Sequence, residues 1–262
     1  MQSKLIFLFF IGLLVISVSF AFSQEEFPDI LKEIKMTKKP PTIDGNLEEW
    51  KYASAMFISD TSTQPLDDCS GTLYMMWDES NLYFAAKIND ESILQNERGA
   101  DIWKGDDVQF DLDLDWKGAE KESPVFDDLN QQIGFSPGNL KDNPPTIWGW
   151  NPGGKRTIDN PKDAEIETAE FQEEKYQGYI IEARIGIDDL SGGTLKKFFE
   201  GMKIGVGRCI NDYDARSEEG GVSSEGAWNN PQKMNGVELV GPMSVKASGQ
   251  LLATWAKIKL AK

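Results

Sequence analysis

A strict alternation of apolar and polar residues in the middle of the chain predicts β-strands. Over residues 107–116, the apolar residues are Val108, Phe110, Leu112 and Leu114, and the polar residues between them are Asp107, Gln109, Asp111, Asp113 and Asp115. Side chains of a strand point alternately to its two faces. The pattern therefore predicts a sheet with one face on the core and the other in water.

Similar runs recur along the chain at intervals typical of an all-β protein. Residues 71–77 and 82–88 alternate on either side of a short polar turn, which predicts an antiparallel hairpin. Further strands are predicted at residues 131–136, 146–150, 164–171, 176–187, 202–211, 237–240 and 252–260. Short helical turns are predicted at residues 47–52, 188–190 and 195–199.

About ten short strands separated by Gly, Pro, Asn and Asp predict an antiparallel β-sandwich of the jelly-roll or immunoglobulin-like type. Residues 117–163 are the least regular part and contain six prolines. We interpret them as an insertion of long loops within one domain, residues 24–262. Long ordered loops on a rigid scaffold often carry binding residues.

The N-terminus predicts export from the cytoplasm. Lys4 precedes an apolar run over residues 5–22, and residues 21–23 read AFS, the form of a signal-peptidase site. We predict a signal peptide over residues 1–23, with an uncleaved N-terminal anchor as the alternative. The protein would then reside in the periplasm, on the cell surface or in the medium, with no membrane span left after cleavage.

The predicted compartment leaves the state of the two cysteines open. An oxidising environment allows Cys69 and Cys209 to form a disulfide, and two separate buried thiols are the alternative.

Composition excludes several classes of function. The chain has 43 acidic and 27 basic residues, a formal net charge of −16 and no histidine. Nucleic-acid binding is excluded because phosphate contacts need clustered Lys and Arg. Without histidine there is no Ser-His-Asp or Cys-His site and no His-ligated zinc or haem. Sites built on carboxylates, oxygen-ligated cations or aromatic faces remain.

Seven of the eight tryptophans fall into two groups. Three lie in register with apolar neighbours and are predicted to be core: Trp50, Trp77 and Trp116. Four others lie among small and polar residues, where an indole either plugs a loop or faces a ligand: Trp103, Trp148, Trp150 and Trp228. A sugar suits such a site, because its C–H face packs on an indole and its hydroxyls pair with amides. The amides available are Gln109, Gln132, Asn151, Asn211, Asn229 and Asn230.

The order of several motifs resembles family 9 carbohydrate-binding modules. Residues 41–50 read PTIDGNLEEW, residues 73–78 read LYMMWD, and residues 81–84 read NLYF. Trp103 precedes GDDVQF at residues 105–110, and Gln132 and the Trp228-Asn229 pair follow in the same order. The resemblance spans roughly residues 40–260.

This resemblance implies a DOMON-type β-sandwich, often with bound calcium, found in secreted proteins that degrade xylan and cellulose. It also implies that a terminal sugar lies between Trp103 and Trp228. Gly134 departs from the family, which ordinarily offers a second charged contact there, and Trp148 and Trp150 would reshape the pocket. The ligand-binding residues are predicted to be Trp103, Gln109, Gln132, Trp148, Trp150, Trp228 and Asn229.

The acidic residues admit three interpretations. Asp111, Asp113 and Asp115 line one strand face, and a second group is predicted to crowd one loop: Asp212, Asp214, Glu218 and Glu219. A solvated acidic face is favoured, followed by a structural Ca²⁺ site, although no EF-hand spacing assigns its ligands. A glycosidase needs a matched pair of carboxylates across a cleft, and none is apparent.

We therefore predict a secreted, non-catalytic protein that binds mono-, oligo- or polysaccharide in polysaccharide breakdown. Three alternatives stay open. A haem-binding electron-transfer domain would need Met or Lys as an axial ligand, for example Met75 or Met76. A glycoside hydrolase would release reducing sugar, and an adhesion protein would present its tryptophans to a protein partner.

Overall fold

The computed structural model describes residues 27–59, 65–150, 157–159, 161–214 and 230–242, and the backbone of 217–223. The predicted signal peptide, the Trp228-Asn229 pair and the predicted strand 252–260 lie outside these residues. Within the part described, no helix is long and apolar enough to cross a membrane.

The described residues form thirteen strands and five short helical segments. The strands are β1 (Glu33–Met36), β2 (Ser54–Ser59), β3 (Ser70–Trp77), β4 (Asn81–Asn89), β5 (Asp107–Asp113), β6 (Asn130–Ser136), β7 (Thr146–Trp150), β8 (Ile158–Asp159), β9 (Ala164–Gln172), β10 (Gln177–Gly186), β11 (Lys203–Asp214), β12 (Ser217–Ser223) and β13 (Asn235–Val240). One α-helix, α1 (Ile187–Ser191), follows β10. The 3-10 turns are Leu47–Trp50, Gly99–Lys104, Ala119–Lys121 and Pro231–Lys233.

The strands form one continuous hydrogen-bonded sheet that curls into a β-sandwich. Its order is β8-β7-β6-β5-β11-β13-β1-β3-β4-β10-β9, with β12 added to β11 and β2 added to β3. The two halves pack through their apolar faces: the ring of Phe84 in β4 lies 5.0 Å from Phe110 in β5 and 5.1 Å from Phe135 in β6. All three side chains are buried. The β-sandwich predicted from the alternation is confirmed.

Strand β1 connects the two halves, and it is the exception to the predicted antiparallel arrangement. It pairs in parallel with β13 on one side and with β3 on the other. The buried indole of Trp77 in β3 donates to the carbonyls of both neighbours, Ile34 of β1 at 2.9 Å and Val240 of β13 at 3.0 Å. The two halves are thereby joined at a single strand.

Most predicted elements are confirmed, and two corrections concern local structure. The prediction of a helical turn at residues 195–199 is wrong: this segment is not helical. The Phe198 amide donates to the Glu79 carbonyl at 2.9 Å instead of to a carbonyl within a helical turn. The acidic loop predicted around Asp212 is also wrong. Residues 212–214 end β11, and 217–223 form β12, its antiparallel partner.

The PTIDGNLEEW motif has a structural role on the outer face of β10. Glu182 Oε2 accepts the backbone N–H groups of Asp44 at 2.9 Å, Gly45 at 2.5 Å and Asn46 at 3.0 Å, and Oε1 accepts the Trp50 indole N–H. Gly45 has φ +80°, a left-handed conformation that glycine adopts without strain. The motif thus wraps a buried carboxylate and closes this face of the sandwich.

Candidate functional site

The polar face of the β5 half brings several predicted ligand residues together. Gln109 of β5 lies opposite Gly134 of β6, which lies opposite Trp148 of β7. In the next row Asp111, Gln132 and Trp150 follow one another across the same three strands. Directly opposite residues share a face. Four of the seven predicted residues therefore share it: Gln109, Gln132, Trp148 and Trp150.

A chain of side-chain hydrogen bonds fixes the amides on this face. Asn211 donates to Asp107 at 2.7 Å, Gln109 donates to the same carboxylate at 3.0 Å, and Gln132 donates to the Gln109 amide oxygen at 2.8 Å. The Gln132 amide oxygen has no donor among the described residues and remains able to accept a hydroxyl. Burial raises the pKa of Asp107 to about 8, although its two amide donors oppose this shift.

The polar face is covered, and the prediction that it lies in water is wrong. Asp107, Gln109, Asp111 and Asp113 are at most 4 % exposed. Alternation shows that a strand has two different faces, but it does not show whether a loop covers the second one. Burial without a counter-charge raises the pKa of Asp111 to about 7.

One cover is the 3-10 turn Gly99–Lys104, which we call the Trp103 turn. Its Ile102 is fully buried, whereas Trp103 is 44 % exposed. The buried Gln95 side chain donates to the carbonyls of Ile102 at 2.8 Å and Asp106 at 3.0 Å and so fixes the end of the turn. The turn therefore holds an accessible indole directly before β5.

Trp148 and Trp150 lie against the Trp103 turn. The Trp150 indole N–H donates to the Ala100 carbonyl at 3.1 Å, and the Trp148 ring lies beside Gly99. Both side chains are half-buried. Trp148 also lines a groove of about 360 Å³ together with Arg98 and Glu165. Their direct contact with a ligand stays a prediction.

Other predicted tryptophans lie elsewhere. Trp50 and Trp77 are buried, and the half-buried Trp116 lies over Gly205 and Gly236. The second wall of the predicted sugar site, Trp228 with Asn229, lies outside the described residues.

Six carboxylates gather beside this face in two groups. Oxygen atoms of Asp90, Asp106 and Asp212 lie within 4.8 Å of one another, and all three side chains are buried. Asp68, Glu91 and Asp214 form a second, more exposed group of the same size. Neither Asp90 nor Asp106 forms an ion pair with a described Lys or Arg.

The pKa values of these groups are raised by burial and by like charges. Burial, reinforced by neighbouring carboxylates, raises the pKa of Asp90 to about 7 and that of Asp106 to about 9. A hydrogen bond that the Glu91 carboxyl donates to Asp68, together with burial, raises the pKa of Glu91 to about 8. Clustered oxygen donors with excess negative charge fit a hard divalent cation such as Ca²⁺.

The sequence pattern pointed to Asp212 and Asp214, but it did not indicate the other four carboxylates, Asp68, Asp90, Glu91 and Asp106. Asp90 and Glu91 directly follow β4, and Asp106 directly precedes β5. Acidic residues at strand ends are the available signal. The pairing of β5 with β11 brings Asp106 near Asp212, and the end of β4 reaches them from the other half of the sheet.

The two cysteines are not joined by a disulfide in this structure. Cys69 is buried, and burial together with neighbouring carboxylates raises the pKa of its thiol. A protonated, inaccessible thiol is chemically inert.

Comparison with protein families identifies a match over most of the chain. The model described as "Carbohydrate family 9 binding domain-like" matches residues 43–242. A search of curated proteins found no match.

Solved structures support the fold. The chain is similar to a carbohydrate binding module family 9 from Caldicellulosiruptor kristjanssonii in complex with cellotriose, with TM-score 0.59, 19% identity, and coverage of 81% of this chain and 96% of the other. A second structure of such a module from the same organism, in complex with glucose, matches with TM-score 0.55, 18% identity, and coverage of 81% of this chain and 98% of the other.

Proposed function

The chain belongs to the carbohydrate family 9 binding domain-like family, and on this basis we propose that it binds a sugar at the Trp103 turn and the polar face without transforming it. The observation that carries the proposal is a 44 % exposed indole on the turn that packs over β6, the strand of Gln132, whose side chain forms a fixed amide pair with Gln109. The indole offers a surface for the C–H face of a pyranose, and Gln132, which its bond to Gln109 holds in place, pairs with a hydroxyl through its amide oxygen. Trp228 and Asn229 complete the site in this proposal.

The ligand class that we propose is a neutral gluco- or xylo-configured saccharide. Asp111 lies opposite Gln132, and Asp107 accepts a hydrogen bond from Gln109, so a uronate would bring a negative charge towards buried carboxyl groups. Similar solved modules hold cellotriose and glucose. A role in xylan or cellulose breakdown by an exported protein follows from this ligand class and the predicted signal peptide.

Truncation of the proposed aromatic wall should weaken binding. We expect Trp103→Ala to lower the affinity for cellotriose by about 1–3 kcal/mol, because a packed aromatic anchor is lost. Isothermal titration calorimetry measures this change. The matched control is Tyr52→Ala. Tyr52 is a more exposed aromatic side chain, at 66 %, and it lies next to the PTIDGNLEEW motif rather than in the proposed site. Unchanged affinity in Trp103→Ala would contradict the proposed site.

Removal of an amide tests the polar half of the site. Gln132→Leu keeps a similar volume but removes the free amide oxygen and the donor to Gln109. We expect it to weaken cellotriose binding by about 1–2 kcal/mol, the cost of one or two lost hydrogen bonds. Unaltered affinity would remove Gln132 from the site. Release of reducing sugar from xylan or cellulose by the wild-type protein would contradict the non-catalytic role.

We also propose that the buried carboxylates Asp90, Asp106 and Asp212 hold a structural Ca²⁺. The geometry of three buried oxygen donors within 4.8 Å supports this proposal. The ion would neutralise the cluster and fix the end of β4, the start of β5 and β11 to one another.

A further inference from the structure

The exposed indole of the Trp103 turn depends on what lies beneath the turn. Ile102 points down towards β6, and the Trp150 ring lies beside it on the same side of the sheet. Both meet above Gly134: a Cβ atom there would lie 2.8 Å from the Trp150 ring and 2.9 Å from Ile102 Cδ1. Such distances are too short for two non-bonded carbon atoms, so only glycine at position 134 allows the turn and the Trp150 indole to pack on β6.

The hydrogen-bonding group of Trp150 is already used within the protein. Its indole N–H donates to the Ala100 carbonyl at 3.1 Å, inside the Trp103 turn. That N–H is therefore not available to a sugar hydroxyl. The ring joins β7 to the turn, and Trp103 lies three residues beyond Ala100.

We infer that Trp150, seated over Gly134, is a positioning residue that holds the Trp103 turn at the height at which Trp103 meets the ligand. The inference rests on the proposed sugar-binding function. It also has a consequence for specificity. Because position 134 carries no side chain, the half-buried amide available for polar recognition on these rows is Gln132.

A double-mutant cycle distinguishes positioning from direct contact. Affinity for cellotriose is measured by calorimetry for the wild type, Trp103→Ala, Trp150→Ala and the double variant. We expect each single variant to lose about fivefold or more, and the double variant to lose no more than Trp103→Ala alone, because Trp150 acts through Trp103. Additive losses would show that Trp150 contacts the sugar itself and would overturn the inference.

Two further variants separate positioning from a general loss of structure. Trp150→Phe keeps a ring over Gly134 without the N–H, and we expect it to recover part of the affinity lost in Trp150→Ala. Gly134→Ala removes no group that could bind a sugar, yet we expect it to weaken binding because it displaces Ile102 or the indole. Melting temperatures accompany each measurement. Wild-type affinity in Gly134→Ala, with Trp150→Phe as weak as Trp150→Ala, would contradict the inference.

Failure of this inference can be told apart from failure of the proposed function. If Trp103→Ala weakens binding and folded Trp150→Ala does not, only the positioning role is wrong. If Trp103→Ala binds like the wild type, or if the wild type does not bind cellotriose, the proposed site is wrong and the inference falls with it. Tyr52→Ala again serves as the control.

Discussion

Glu182→Ala is expected to lower the free energy of unfolding by about 3–5 kcal/mol, because it leaves a set of buried N–H donors without an acceptor. Four N–H groups converge on this carboxylate, three from the backbone of residues 44–46 and one from Trp50. The side chain is fully buried, so water does not replace it in the intact fold. Chemical denaturation with urea measures the loss.

The neighbouring strand supplies a control for Glu182. Glu167 of β9 lies directly opposite Glu182, but its side chain is exposed. We expect Glu167→Ala to change the free energy of unfolding by less than about 0.5 kcal/mol. Equal effects of the two substitutions would show that the carboxylate at 182 does not organise the PTIDGNLEEW motif.

Removal of Ca²⁺ is the second change expected to have a large effect. With EDTA, the protein should melt at a lower temperature than with excess calcium, because buried carboxylates then repel one another without a counter-ion. Asp106→Asn should weaken this response to calcium, whereas the exposed control Glu120→Gln should retain it. Equal melting temperatures of the wild type with EDTA and with calcium would contradict the proposed ion.

The response should depend on pH in a defined direction. Asp90 and Asp106 have pKa values raised to about 7 and about 9 in the metal-free fold. The folded state then holds protons that the unfolded state has lost, so stability without metal falls as pH rises from about 5 to about 9. Calcium replaces these protons, so its stabilising effect should grow over the same interval. A calcium effect that is constant with pH would contradict this linkage.

Periodicity was sufficient to predict the hairpin and the central strand. Leu73, Phe84 and Phe110 face the core as the alternation requires, and β7 begins and ends at the predicted residues. These features depend on local order along the chain, where each strand has one strongly apolar face.

The features that the sequence did not predict depend on contacts between distant segments. In the sequence Glu182 resembles any exposed glutamate of a strand. It is buried because the loop at Asp44, 138 positions away, closes over it. Asp106 meets Asp212 only when β5 and β11 pair, and it meets Asp90 only when the two halves of the sheet pack together. The Trp103 turn contains no apolar periodicity, since its one buried residue, Ile102, finds its partners on β6 and β7.

The parallel pairing of β1 makes completion of this protein's fold a late event during synthesis. Strand β1 leaves the ribosome early, but its partner β13 begins only at Asn235, about two hundred residues later. Until then the Trp77 indole lacks one of its two carbonyl acceptors, and β1 and β11 present open edges to other chains. The export that the N-terminal sequence predicts would suit this order of events, because the chain would pass a translocation pore before the sandwich closes.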